Sequence, residues 1–145
     1  MQKMSPTNLF RNWAASDFQR EAGEFCLVAQ ERFGLALNYS PDTLSQLDNL
    51  IETEFGPGSA DDNAALIVQM GSYVGEVVLR AFGGAWRADE ELFHSPAIII
   101  EGRLQARTFP LSRVWQRFEF GDEKSLVAYY DELTRTVARM RLPLA

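Results

Sequence analysis

The stretch from Ala64 to Phe82 limits the possible folds more than any other part of the chain. Ile67, Met70, Val74, Val78 and Ala81 recur there at helical spacing, with Leu66, Tyr73 and Val77 beside them. A helix apolar around most of its circumference has to be covered on most sides, so the remaining residues must wrap it. Asp61 or Asp62 is placed to cap its start, and Gly83-Gly84 ends it. One polar stripe, Gln69, Ser72, Glu76 and Arg80, is left to find water or partners. Gly71 and Gly75 sit one turn apart inside the helix, where each glycine costs about 1 kcal/mol relative to alanine. The first reading of this pair is close approach by a neighbouring helix or strand; the second is room for a ligand or peptide beside Tyr73 and Glu76. A membrane dimer motif does not fit, because Glu76 follows directly and the apolar context is short.

The segments around this helix alternate between clear helix signals and one β-rich stretch. Phe18, Ala22, Phe25, Ala29 and Phe33 form an amphipathic pattern, with Ser16 as expected N-cap and Gly34 just beyond its end. Ser40-Pro41-Asp42 opens a second helix with apolar positions Leu44, Leu47, Ile51 and Phe55, and Gly56-Pro57-Gly58-Ser59 ends it. From Ala85 to Phe109 the texture turns β-branched and aromatic, with strands expected near Ala85-Trp86-Arg87, at Ala97–Glu101 and at Arg103–Phe109, and a turn at Glu101-Gly102. Pro110 opens a helix containing Val114, Trp115 and Phe118 and ending at Gly121. Asp122 is the expected cap of a last one, with Leu126, Tyr129 or Tyr130, Leu133, Val137 and Met140 on its apolar face and Pro143 closing it. This order predicts a single α+β domain over residues 1–145, with about five helices packed on one face of an antiparallel sheet of about three strands. Residues 1–14 are expected to be a poorly ordered N-terminal segment.

Composition narrows the function classes. An apolar fraction of 46% and a charged fraction of 23% suit a packed globular core. The single cysteine, Cys26, reads as a small buried hydrophobe in a reducing compartment. No secretory signal opens the chain, and runs such as Ala97-Ile98-Ile99-Ile100 are short of the ~20 residues a bilayer requires. A cytoplasmic location without membrane association is therefore expected. A net charge of −6 opposes phosphate-backbone binding, so nucleic acid is not an expected partner. The charge is divided unevenly: 15 acids face 6 bases through Glu101, and 5 acids face 8 bases beyond it. The acidic helices and the basic C-terminal region can pack on each other, or present a dipole to a protein partner.

Motifs that would fix a reaction are missing. There is no nucleophile elbow, phosphate-binding glycine loop or dinucleotide fingerprint, and no cofactor is expected. His94 is the only histidine, which excludes a multi-imidazole metal site, and the preceding Asp89-Glu90-Glu91 lacks calcium-loop spacing. Glu76 and Arg80, at i and i+4, have the favourable order for a helix ion pair. Were their helix buried on nearly all sides, Glu76 would become a desolvated carboxylate. Arg103, Arg107, Arg113 and Arg117 make the best basic cluster, with Trp115 and Phe118 interleaved and Arg113 and Arg117 on one helix face. An anionic ligand, an acidic partner or the protein's own acidic helices can meet them, the internal partner being the expectation.

Gly71-x-Tyr73-x-Gly75-Glu76, Gly83-Gly84-x-Trp86, Phe109-Pro110 with Val114 and Arg117, and Ser125-Leu126 with Tyr129 follow one another in order. This pattern resembles a family of small uncharacterised bacterial proteins of the domain-of-unknown-function kind. It covers about Leu44 to Leu133 and implies a bacterial cytoplasmic origin without assigning any catalytic residue. The reading that follows is a non-catalytic protein–protein interaction domain, an adaptor or immunity-type inhibitor. The alternative is a small-ligand binder or hydrolytic enzyme with a pocket around Tyr73, Glu76 and Trp86. Tyr73, Glu76, Arg80, Trp86, Arg113 and Arg117 are the candidate ligand- or partner-binding residues.

Overall fold

In the computed structural model residues 10–92 and 95–142 are described, with the backbone alone at 89–92. Five α-helices and a three-stranded antiparallel sheet make an α+β fold in these residues. In chain order they are α1 (Ala15–Phe33), α2 (Thr43–Glu54), α3 (Ala64–Phe82), β1 (Ala85–Leu92), β2 (Ser95–Ile100), β3 (Ala106–Thr108), α4 (Pro110–Phe120) and α5 (Leu126–Met140). Short 3₁₀ turns at Asp61–Asn63 and Asp122–Lys124 lead into α3 and α5.

Helix α3 is the centre, as its composition requires. Met70, Tyr73, Val74, Val77 and Val78 are wholly inaccessible to solvent, and α1 and α4 flank the helix most extensively. By length and mean hydropathy the segment Asp61–Phe82 would suffice to cross a bilayer. Burial between helices makes the same demand on composition, and that is the position it occupies here.

The sheet order is β1-β2-β3. Its register places Trp86 opposite Ile98 and Ile98 opposite Thr108, so these three share a face. Ile98 and Ile100 enter the common core with the helices, and the central strand β2 is buried along its whole length. A register irregularity between Arg87 and Glu91 interrupts the β1–β2 ladder.

Several ends differ from expectation. Strand β1 runs on to Leu92, whereas β3 holds only three residues, and the segment 101–105 connects β2 to β3 where a tight turn at Glu101-Gly102 was expected. Helix α1 starts one residue before Ser16; Asp17 takes the backbone N–H of Ala14 instead, at 2.7 Å. Asp122 does not cap α5: it opens the 3₁₀ turn, and Ser125 Oγ accepts the Ala128 N–H. Of the segment 1–14, residues 1–9 lie outside the described residues; in the remainder Phe10 is buried and meets Trp13 edge-on, and Trp13 meets Phe18. His94, Pro143 and the side chains of Asp89-Glu90-Glu91 lie outside the described residues.

Candidate functional site

The six candidate residues fall into two clusters. Tyr73, Glu76 and Arg80 belong to α3, and Trp86 reaches Glu76 from β1. Arg113 and Arg117 belong to α4 and meet other partners.

In the first cluster, both glycines are explained by what fills the space their missing side chains leave. A Cβ on Gly75 would stand 2.1 Å from the Trp86 ring, and one on Gly71 would stand 2.8 Å from the Leu111 backbone. The pair therefore admits the indole of β1 and the first turn of α4 against α3. Trp86 lies flat on Phe18, with ring centroids 4.0 Å apart, and its Nε1–H donates to Glu76 Oε2 at 2.8 Å. That contact gives the buried Glu76 carboxylate a partner and orients the ring. The Arg80 guanidinium lies over the Tyr39 ring, 3.8 Å from its centroid.

Tyr73 closes the other side of this cluster. Its hydroxyl accepts the Tyr39 N–H at 2.9 Å and pairs with Thr43 Oγ1 at 2.8 Å. Because Thr43 spends its own proton on the Ser40 carbonyl, at 2.7 Å, the Tyr73 hydroxyl must be the donor to Thr43. Tyr39 stacks on Tyr73 with φ +66°, a left-handed conformation unusual for a residue with a side chain. Burial pushes the Tyr73 hydroxyl above its ordinary pKa, against the lowering effect of its Thr43 and Tyr39 hydrogen bonds. Burial, with a hydrogen bond to Cys26, does the same for Tyr39. The arrangement is a packed joint between α1, α3, β1 and the chain entering α2. Trp86 Nε1, Glu76 Oε2 and the Tyr73 hydroxyl are each bonded to another part of the same chain, and the Arg80 guanidinium is stacked on one.

The second cluster is built around Arg117, which is 1% exposed. Its Nε–H donates to Asp48 Oδ1 at 2.9 Å, and NH2 donates to the Asp48 carbonyl at 3.0 Å and to Glu52 Oε1 at 3.1 Å. Asp122 stands 3.7 Å away. Helix α2 thus supplies the internal acidic partner. Asp48 does more than neutralise this charge. Oδ1 also accepts the Leu126 N–H, and Oδ2 accepts Ser125 Oγ–H and the Val127 N–H, all at 2.9–3.0 Å. Four donors fill the acceptor capacity of one carboxylate, and two of them are orphan amides at the start of α5. The negative charge also faces the positive end of that helix. Asp48 thus completes the capping that Ser125 begins, for a helix 78 residues further along the chain.

Above this network opens a cleft of about 440 Å³, lined by Asp48, Asn49, Glu52, Pro57, Arg117, Phe120, Gly121 and Asp122. Its rim carries the exposed Phe120, met edge-on by the part-exposed Trp115 at 5.9 Å. Arg113, four residues before Arg117, lies over the Tyr129 ring, 5.2 Å from its centroid. Tyr129 pairs with Thr108 across the α5–β3 contact, and burial pushes its hydroxyl up to about 12. No protein-family model, curated protein or solved structure matches the chain.

Motif spacing along the chain does not single out Asp48, Glu52, Tyr39 or Thr43. Asp48 did leave a signal: it lies four residues after Leu44 and three before Ile51, inside the apolar stripe of α2. An acid in that position needs a buried partner. Phe120 left no comparable mark, since exposure of an aromatic residue is decided by the neighbours it lacks.

Proposed function

We propose that the chain is a non-catalytic protein–protein interaction domain of the cytoplasm, of the adaptor or immunity-inhibitor kind. The observation that supports this most is the open cleft between α2 and the end of α4, walled by carboxylates and by the exposed Phe120, whose ring meets the exposed Trp115 beside it. Aromatic side chains half in water beside a polar cleft are a common composition of protein-recognition surfaces. The alternative, a ligand pocket or hydrolytic site around Tyr73, Glu76 and Trp86, is weakened by the packing there. The Trp86 indole occupies the space beside Gly75, and Glu76 holds that indole in place.

The test is capture by the immobilised full chain at low ionic strength, compared with a Trp115→Ser/Phe120→Ser variant. A defined macromolecular partner retained by the first and lost from the second is the expected result. Equal retention by both proteins, or none by either, would sink the reading.

A further inference from the structure

We propose that the cleft receives a basic side chain, arginine or lysine, carried on an extended segment of a partner protein, which it seats between Glu52 and Asp122 against the ring of Phe120. This inference rests on the interaction reading of the same cleft and specifies the chemistry of its occupant. Three observations carry it. The first is shape: about 440 Å³ of open space lies within the range of side-chain and small-ligand sites. The second is charge: three carboxylates, Asp48, Glu52 and Asp122, meet a single guanidinium, Arg117, which leaves two negative charges in excess. The third is the distribution of that excess. Asp48 is saturated by four donors, whereas the Glu52 side chain is 50% exposed and that of Asp122 is 82% exposed. The unspent acceptor capacity therefore faces the opening.

Phe120 adds a π face, 51% exposed and supported edge-on by Trp115. A cation is attracted by an aromatic face and by carboxylates alike, so an aliphatic stem ending in a cationic head satisfies the whole wall. A bare metal ion fits less well. Arg117 already lies among these acids, and no group of three or more His, Cys, Asp or Glu among the described residues is arranged to hold one. An acidic or purely apolar segment would leave the Glu52 and Asp122 charges unmatched.

The experiment uses the full chain, labelled with ¹⁵N, and a capped peptide carrying two arginines separated by glycines. Counterparts of equal length carrying glutamate or norleucine serve as controls. The indole N–H of Trp115 is the reporter at the cleft, and that of Trp86, bonded internally to Glu76, is the reference. The arginine peptide is expected to move the Trp115 signal saturably, leave Trp86 in place, and bind more weakly as salt is raised. Glu52→Gln, Asp122→Asn and Phe120→Ala are each expected to weaken binding about two- to fivefold, the range of exposed ion-pair and cation–π contacts. Glu24→Gln, which removes the same charge from exposed α1, is expected to leave it unchanged. Should Phe120→Ala lose its fold by thermal melting, Phe120→Leu replaces it, since it keeps the bulk and removes the π face.

Binding weakened equally by Glu24→Gln would overturn the proposal by reducing it to non-specific charge attraction. Saturable binding of spermidine at the same affinity would overturn the protein-segment occupant. If the glutamate or norleucine peptide moves Trp115 instead, the basic occupant is wrong and the interaction reading survives. Partner capture that depends on Trp115 and Phe120 but does not yield to the arginine peptide also overturns the basic occupant and leaves the interaction reading standing. Peptide binding intact with no partner captured overturns the interaction reading and with it the partner-borne segment, leaving only the preference of the cleft for a basic side chain.

Discussion

Gly75 shows how much one missing methyl group determines. Alanine there would gain about 1 kcal/mol in helix propensity, yet its Cβ would collide with the Trp86 ring at 2.1 Å. The ring is fixed by the Phe18 stack and the Glu76 hydrogen bond, so it cannot give way without losing both. Gly75→Ala is expected to be net destabilising by about 1–3 kcal/mol, the usual cost of overpacking, and to alter tryptophan fluorescence; urea denaturation measures the first. Trp86→Phe keeps the stacking surface and removes the donor. It leaves the Glu76 carboxylate buried without that bond, for an expected loss of about 1–3 kcal/mol. The complementary Glu76→Gln, which preserves an acceptor oxygen, is expected to cost less in the same assay. Equal losses would mean that the contact is one of shape alone.

Among the elements, α5 has the most unusual beginning, because α2 shares its capping: Ser125 takes the Ala128 N–H, and Asp48 takes those of Leu126 and Val127. Asp48→Ala removes two amide acceptors from the start of α5 and strips the 1%-exposed Arg117 of its principal carboxylate. A broken buried ion pair costs about 3–5 kcal/mol, a large share of the ~5–15 kcal/mol available to a typical domain. The variant is expected to lower the urea midpoint sharply. Asp48→Asn retains one acceptor oxygen and is expected to fall between it and the wild type. Hydrogen exchange gives the local readout: the Leu126 and Val127 amides should exchange faster in Asp48→Asn than in the wild type, with the core amides of α3 less affected. Unchanged exchange at those two amides would show that α5 does not depend on the cap.

At the scale of the whole molecule, the four tyrosines share one tendency. Burial raises the hydroxyl pKa of Tyr39, Tyr73, Tyr129 and Tyr130, and Tyr129 reaches about 12 from an ordinary value of 10. Between those values the folded chain holds a proton at Tyr129 that the unfolded chain has released. Stability contributed by this neutral hydroxyl is therefore fully present below pH 10 and is lost as pH rises toward about 12. Tyrosinate absorbance is expected to lag a urea-unfolded control on alkaline titration, then to rise together with unfolding. A native titration coincident with that of the unfolded chain would contradict the buried tyrosine network.

Much of the fold was legible in the sequence because it follows from periodicity and from local backbone chemistry. The apolar stripes of α1 and α2, the apolar circumference of α3, the Pro110 start and Gly121 end of α4, and the Leu126–Met140 stripe of α5 are properties of neighbours along the chain, and they predict the five helices. The β-branched stretch after Gly84 likewise announces a small sheet, although strand ends, set by pairing partners, were misjudged at β1 and β3. Only the tertiary structure decided what fills the space beside Gly71 and Gly75, which acid meets Arg117, and that Asp48 helps to cap a helix 78 residues away. The candidate site was legible only in part for the same reason. Arg117 stands in the sequence as one of a row of arginines, but the cleft above it exists because α2, the Pro57 turn and the end of α4 converge there. Hydrophobic spacing acts over a few residues and is written into each segment. A buried charge, by contrast, selects whichever partner the completed packing brings within hydrogen-bond distance.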